Sequence, residues 1–309
     1  YFRRYPVDLV ELEVPGLGGW LILLMCKFVG VNIISHYRTD VIGYSQLLVK
    51  SRFMRWYIHS FTKAFCKLTT PVIVPSEDFR QKLKTEMNLS DFQIVRLRRG
   101  IDLETFQPRL REDNSWEMYA PQKDTPTKRA VRFLFVGRIS KEKELPLLEK
   151  IWRQFRRNKN DVELAIVGLG PYQSEMKDNL SDCEEVIFTG SLHGQQLAAM
   201  YAQADYFLFP SGTDTFGNVV VESLATGTPA LVSDSGGPRM IVEDKVSGRI
   251  IKWQDEEAWI KELEWAYTTK KYHAQAYDQL RVNSAQRSKD FSLDAAGQAW
   301  WDFYIKLTQ

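Results

Sequence analysis

Cysteine and histidine are scarce, three and four respectively among 309 residues. Cys26, Cys66 and Cys183 are odd in number, far apart and set in apolar stretches. That pattern excludes a disulfide framework and reads as buried free thiols in a reducing compartment. The histidines fall at no metal-ligand spacing, so no metal is expected. A strong charge of one sign is also lacking. Lys and Arg number 41 against 39 Asp and Glu, a net +2 that gives no case for nucleic acid. The opening residues do not read as a secretory leader, and no apolar run is long enough to span a bilayer. The greasiest stretch, Trp20 to Cys26, is ended by Lys27 and is expected to be a core helix. A cytoplasmic location follows as the expectation, either free or peripheral at a membrane.

What is present suits an ordinary globular protein, 44% hydrophobic and 26% charged. A chain of 309 residues can bury two cores. Val7–Val14 alternates like a strand before the breaker Pro15-Gly16-Leu17-Gly18-Gly19. Further strands read at Asn32–Ser35, Val72–Val74 and Ile94–Leu97, with helical patterns between them. After a polar stretch holding Pro108, Pro121 and Pro126, strands recur at Val131–Val136, Val162–Val167, Val186–Thr189, Tyr206–Phe209 and Ala230–Ser233. The tail from Glu256 reads as helices. Alternating strands and helices predict an α/β protein with parallel sheets. The expected domains are residues 1–106, a linker at 107–130, a second domain at 131–290, and a closing helix at 291–309.

The most informative segment runs from Phe209 to Glu222. An apolar strand stops at Pro210, a polar loop Ser211-Gly212-Thr213-Asp214-Thr215 follows, and Phe216-Gly217-Asn218 open a helix. Exposed amides and the positive end of the helix dipole make such a start an anion site. Glycine there lets a ligand approach the backbone closely. Glu222, eight positions after Asp214, lies about two turns along and can accept hydrogen bonds from ligand hydroxyls. Phosphate beside polyol hydroxyls describes a nucleotide sugar.

That segment resembles the donor site of the retaining family-4 glycosyltransferases, and its Thr-Asp-Thr-Phe-Gly form is similar to a mannosyltransferase-like branch. Phe135-Val136-Gly137-Arg138-Ile139-Ser140-Lys141-Glu142-Lys143, Val167-Gly168-Leu169-Gly170-Pro171, Phe188-Thr189-Gly190 and Ser235-Gly236-Gly237-Pro238 resemble further landmarks of the family, in order. The resemblance implies the GT-B fold: two Rossmann-like domains, the last helix crossing back to the first domain. It implies a nucleotide-diphosphate sugar, UDP- or GDP-linked, as donor, with hexose transfer to a hydroxyl of a glycan, lipid or small molecule. Arg138 and Lys143 would hold the diphosphate beside Gly137; Lys141 is the rival to Lys143. Asp214 would contact the transferred sugar and Glu222 the ribose. The amides of Phe216, Gly217 and Asn218 would cradle phosphate, Thr215 would be a further substrate-binding residue, and Leu192 would lie near the base. His36 or Arg38 would reach into the sugar site from the first domain. The implied chemistry is retaining transfer without a metal or other cofactor, the leaving phosphate accepting the acceptor's proton.

The same resemblance places Val7–Val14 in the middle of the first domain. A preceding segment with a glycine-rich loop, or a partner chain, is therefore expected to complete it. A non-catalytic nucleotide-sugar-binding remnant, or another GT-B-type enzyme such as an epimerase or phosphorylase, stands as the alternative. One further feature is unabsorbed. Lys50–Lys67 holds no acid, and on a helical wheel Phe53, Tyr57, Phe61 and Phe65 share a face opposite Arg52, Arg55, His59 and Lys63. It reads as a surface helix packed on its sheet, or as a basic amphipathic surface for anionic lipid or a charged acceptor.

Overall fold

The computed structural model describes residues 7–308 apart from 14, 70, 98, 113–114 and 120–129. Its contacts divide the chain into two compact units, Tyr1–Arg99 with Ala296–Gln309, and Gly100–Ala295.

The first unit carries a four-stranded sheet in the order β1-β2-β3-β4, from Leu9–Leu12, Asn32–His36, Val72–Val74 and Ile94–Arg96, with every pairing parallel. Helices α1 (Leu17–Val29), α2 (Val41–Leu48), α3 (Arg52–Leu68) and α4 (Glu77–Met87) connect them. The helix starts follow from short polar side chains. Asp40 accepts from Gly43 N at 3.0 Å, Ser51 from Met54 N at 3.3 Å, and Ser76 from Phe79 N at 3.4 Å. Each satisfies a backbone donor that the helix itself leaves unpaired. Strand β2 is buried from Ile33 onward, and Ile34, with Ile73 and Leu97, receives Trp300, Phe303 and Leu307 of the closing helix.

Helix α1 is not the core helix its composition predicts. Only Leu23 and Cys26 are buried, while Leu17, Leu21, Leu24, Met25 and Phe28 are exposed. It meets α3 through Trp20, whose ring lies 5.2 Å from Phe61 and 5.7 Å from Phe65. The aromatic face of α3 is likewise buried only at its far end: Phe65 is enclosed, whereas Phe53 and Tyr57 are exposed.

The second unit is built on a six-stranded parallel sheet in the order β10-β9-β8-β5-β6-β7, from β5 (Val131–Val136), β6 (Val162–Val167), β7 (Val186–Gly190), β8 (Tyr206–Phe209), β9 (Ala230–Ser233) and β10 (Gly248–Ile251). Strands β5, β6, β8 and β9 are buried along their whole length. Continuous apolar runs are what a sheet covered on both faces demands. The covering helices are α5 (Leu145–Phe155), α6 (Gln173–Asn179), α7 (Gly194–Gln203), α8 (Asn218–Ala225), α9 (Glu256–Tyr272) and α10 (Ala274–Ser288). Helix α11 (Leu293–Thr308) starts here and belongs to the first unit from Ala296 onward. All three cysteines are buried and unpaired.

The polar stretch 107–130, expected as a linker, is packed into the second unit where it is described. Trp116 is fully buried, donates from Nε1 to Glu163 at 2.8 Å, and lies under the Arg132 guanidinium. Arg111 reaches buried Asp205 at 2.6 Å, and Asp205 also accepts from Arg132 N and from Tyr277. These charges close the amino ends of β5, β6 and β8. The opposite, carboxyl ends carry the candidate site.

Candidate functional site

Beyond β5 the chain turns at Gly137 and presents Arg138, exposed, before a short turn at Lys141–Lys143. The neighbouring Gly168-Leu169-Gly170 turn packs directly on this loop. A Cβ on Gly168 would stand 1.9 Å from the Gly137 carbonyl oxygen, and one on Gly170 2.2 Å from that of Ile139. Those two glycines are required by close packing of two loops, whatever binds above them.

Lys143 points across to the loop after β8. Its Nζ lies 2.6 Å from Asp214 Oδ1, and Ser211 Oγ donates to Asp214 Oδ2 at 2.6 Å. Thr213 ties the same loop back to the Glu142 carbonyl at 3.2 Å. Lys141 goes elsewhere: it pairs with Glu175 at 2.8 Å and lies over the Tyr172 ring. Of the two lysines, Lys143 is therefore the one beside the helix start.

The helix itself begins at Asn218, two residues later than the sequence suggests, because Gly217 adopts the left-handed conformation with φ +97°. Phe216 is buried against Phe291, and Thr215 lies beneath the Gly236-Gly237 turn. Gly237 N donates to the Asp214 carbonyl at 2.7 Å, and a Cβ at Gly237 would fall 2.2 Å from the Thr215 carbonyl oxygen. The landmark glycines thus press one loop onto another and fix the position of Asp214. Asn218 Oδ1 is buried with no hydrogen-bond partner among the described residues.

Glu222 stands one turn further along α8. Its Oε2 accepts from the Tyr201 hydroxyl at 3.0 Å. Burial pushes the Glu222 carboxyl above its ordinary range, and the Tyr201 hydrogen bond acts against that rise. Tyr201 itself is fully enclosed, its phenol held far above the usual tyrosine range by burial beside Glu222. Sequence reasoning missed Tyr201: inside Leu-Ala-Ala-Met-Tyr-Ala it reads only as helix core. Ser211 was likewise passed over, although its place three residues before Asp214 is a common side-chain bonding distance.

Leu192 is buried two residues after β7. In the first unit, His36 is enclosed, stacked on Trp300 with 5.1 Å between rings and paired through Nε2 with Glu11. Burial lowers its pKa, so the neutral ring accepts at Nδ1 from Arg38 Nε at 3.2 Å. Arg38, a third exposed, is also paired with Glu13.

Residues 120–283 match the family model of glycosyl transferases group 1. The chain is 31% identical over 246 residues to the sulfoquinovosyl transferase SQD2 of Arabidopsis thaliana, covering 78% of this chain and 46% of that protein. It is 28% identical over 269 residues to a GDP-mannose-dependent alpha-mannosyltransferase of Corynebacterium glutamicum, covering 85% of this chain and 60% of that one. It thus spans about half to three-fifths of these relatives' lengths. Among solved structures, Anabaena HepE in complex with UDP superposes with a TM-score of 0.81 at 15% identity, over 99% of this chain and 80% of that one. With two parallel-sheet Rossmann-like units, the fold is GT-B, and the chain belongs to the group 1 glycosyl transferases.

Proposed function

We propose that the protein is a retaining glycosyltransferase that moves a hexose from a nucleotide-diphosphate sugar to a hydroxyl acceptor. The observation that carries this is the convergence, at strand carboxyl ends, of Lys143, Asp214 and the start of α8, with Glu222 one turn behind. Ligands of open α/β sheets bind at that end. The diphosphate is held by Arg138, Lys143 and the first amides of α8, where positive charge and unpaired N–H groups coincide. Glu222 takes the ribose hydroxyls, and Asp214 a hydroxyl of the sugar. As the glycosidic bond breaks, negative charge grows on the leaving phosphate. Arg138, Lys143 and the helix start then bind it more strongly than in the ground state, which is where rate acceleration arises. The acceptor oxygen attacks on the face the diphosphate leaves, and the departing phosphate takes its proton. No resident metal enters this reading. Names among the relatives and neighbours support both UDP- and GDP-linked donors. The test is nucleotide release from UDP-glucose and GDP-mannose, with the anomeric configuration of the product read by NMR. An inverted anomer rejects the retaining mechanism; no release from a panel of nucleotide sugars with supplied acceptors favours the binding-only alternative.

A second reading concerns the acceptor side, and a separate observation favours it. Between residues 14 and 76 the only acid is Asp40, against Lys27, Arg38, Lys50, Arg52, Arg55, Lys63 and Lys67. The same stretch exposes Leu17, Leu21, Phe28, Phe53 and Trp56 on α1 and α3. Exposed apolar side chains on a segment this rich in cations suit an anionic lipid surface, and hence a lipid-borne acceptor.

A further inference from the structure

Glu222 is an awkward residue to place. It sits on a helix whose neighbouring positions, Val220, Val221, Ser223 and Leu224, are all buried, and burial works against its charge. Two features resolve this. Its Oε2 has a single fixed donor, the Tyr201 hydroxyl at 3.0 Å, whereas no protein donor reaches Oε1 among the described residues. The donor is itself immobilised. The Tyr201 ring is held edge-on by Phe106 at 6.0 Å and by Phe207 at 5.5 Å, and its carbonyl accepts from Thr228 Oγ1 at 2.7 Å. A phenol held in this way restrains one carboxylate oxygen, while the second has no protein donor among the described residues.

We propose that Tyr201 is the positioning residue of the ribose subsite: it clamps Oε2 of Glu222 so that Oε1 accepts from the vicinal hydroxyls of a nucleoside diphosphate. This rests on the reading of Glu222 as the ribose-binding acid. Tyr201 does not touch the ligand and acts only through Glu222. Preorganisation of this kind adds affinity by removing the ordering of the carboxylate from the binding step. The clamp is specific to ligands carrying the diol, so its contribution vanishes when the diol is absent. A residue that merely supported the core would affect every ligand alike.

The experiment is calorimetric titration of the parent, Tyr201→Phe and Glu222→Gln with UDP and GDP and with their 2′,3′-dideoxy analogues. Phe retains the ring contacts with Phe106 and Phe207, so the fold is kept. The expected result is a loss of about three- to tenfold in Tyr201→Phe for the ribonucleotides, as for one buried hydrogen bond, and no loss for the dideoxy analogues. Phe at 201 should also add little to the loss already caused by Gln at 222, because both act on one contact. Equal losses for ribo- and dideoxynucleotides, or none in either, would overturn the clamp while leaving the Glu222 reading in place. If the parent does not distinguish ribo- from dideoxynucleotide, or Glu222→Gln binds like the parent, the ribose reading falls and the clamp with it.

Discussion

Lys143 and Asp214, 71 positions apart, form an ion pair of 2.6 Å in a part-buried setting, with 16% and 20% of their side chains exposed. The acid thus occupies the cation proposed to hold the donor's diphosphate. A diphosphate that binds beside Lys143 has to share it with Asp214. Asp214→Asn keeps the loop's shape and releases the lysine. It should tighten binding of a bare nucleoside diphosphate by about two- to tenfold, the scale of one exposed to part-buried charge contact. Transfer from a nucleotide sugar should fall in the same variant, since the sugar loses its carboxylate. Lys143→Ala should weaken diphosphate binding and lower stability by about 1–3 kcal/mol, because Asp214 keeps its burial and loses a charged partner. Calorimetry and urea unfolding read both; weaker nucleotide binding in Asp214→Asn would argue against a shared cation.

Arg138 differs in kind. Its side chain is exposed and makes no ion pair among the described residues. Arg138→Ala should therefore leave stability within about 0.5 kcal/mol of the parent while nucleoside diphosphate affinity falls about tenfold. Arg138→Lys should recover only part of that affinity, because an ammonium lacks the bidentate fork that matches phosphate. A variant that unfolds earlier but binds normally would place Arg138 in the scaffold instead.

The Glu222 carboxyl ties stability to pH. Burial raises its folded-state pKa above the ordinary 4.5, so folding favours the protonated form. Stability from this group is full below pH 4.5 and declines as pH rises through the raised value, where the folded acid must ionise in place. Glu222→Gln escapes that decline. Urea unfolding at a series of pH values should show the Gln variant gaining on the parent from pH 4.5 toward neutrality, even as its nucleotide affinity drops. A stability difference that is flat with pH would mean the acid ionises as freely in the fold as in the unfolded chain.

Much of the second unit was legible because its strands are covered on both faces. Tyr206–Phe209 is an unbroken apolar run, and Val131–Val136, Val162–Val167 and Ala230–Ser233 are interrupted only by Arg132, Glu163 and Ser233, so a reading of hydrophobicity finds all four. Strand β10 escaped because it is a short edge strand, Gly248-Arg249-Ile250-Ile251, whose glycine and arginine look like loop. The linker reading failed at Trp116 for a related reason: one buried aromatic among prolines and charges anchors a segment that has no period of its own. At the candidate site, strand, glycine and acid spacing singled out Arg138, Lys143, Asp214 and Glu222, and the structure sets Lys143 against Asp214 with Glu222 one turn along α8. Tyr201 was not singled out, since its hydrogen bond to Glu222 joins residues 21 positions apart on different helices. The exposed face of α1 was hidden too. Hydropathy reports how apolar a helix is, and cannot tell which side of it the sheet covers.

That uncovered face leads to a measurement on the first unit. Phe28 is 91% exposed, Leu17 82% and Phe53 70%, and large apolar side chains exposed together mark an interaction surface. Trp20 packs α1 against Phe61 and Phe65 of α3, the helix that also carries Arg52, Arg55 and Lys63. Sedimentation with phosphatidylglycerol-containing vesicles should show binding that weakens as salt rises, because exposed charges are screened over about 8–10 Å. Neutral phosphatidylcholine vesicles should bind less. Reversing Arg52, Arg55 and Lys63 to Glu should abolish the salt-sensitive part, and Phe53→Ser with Trp56→Ser should reduce what remains, without affecting the fold, as Phe53 and Trp56 are exposed. Concentration-dependent self-association that disappears with the two Ser substitutions, with no vesicle binding, would assign the surface to a second copy of the chain. Vesicle binding that survives the charge reversal at low salt would reject the electrostatic half of the argument.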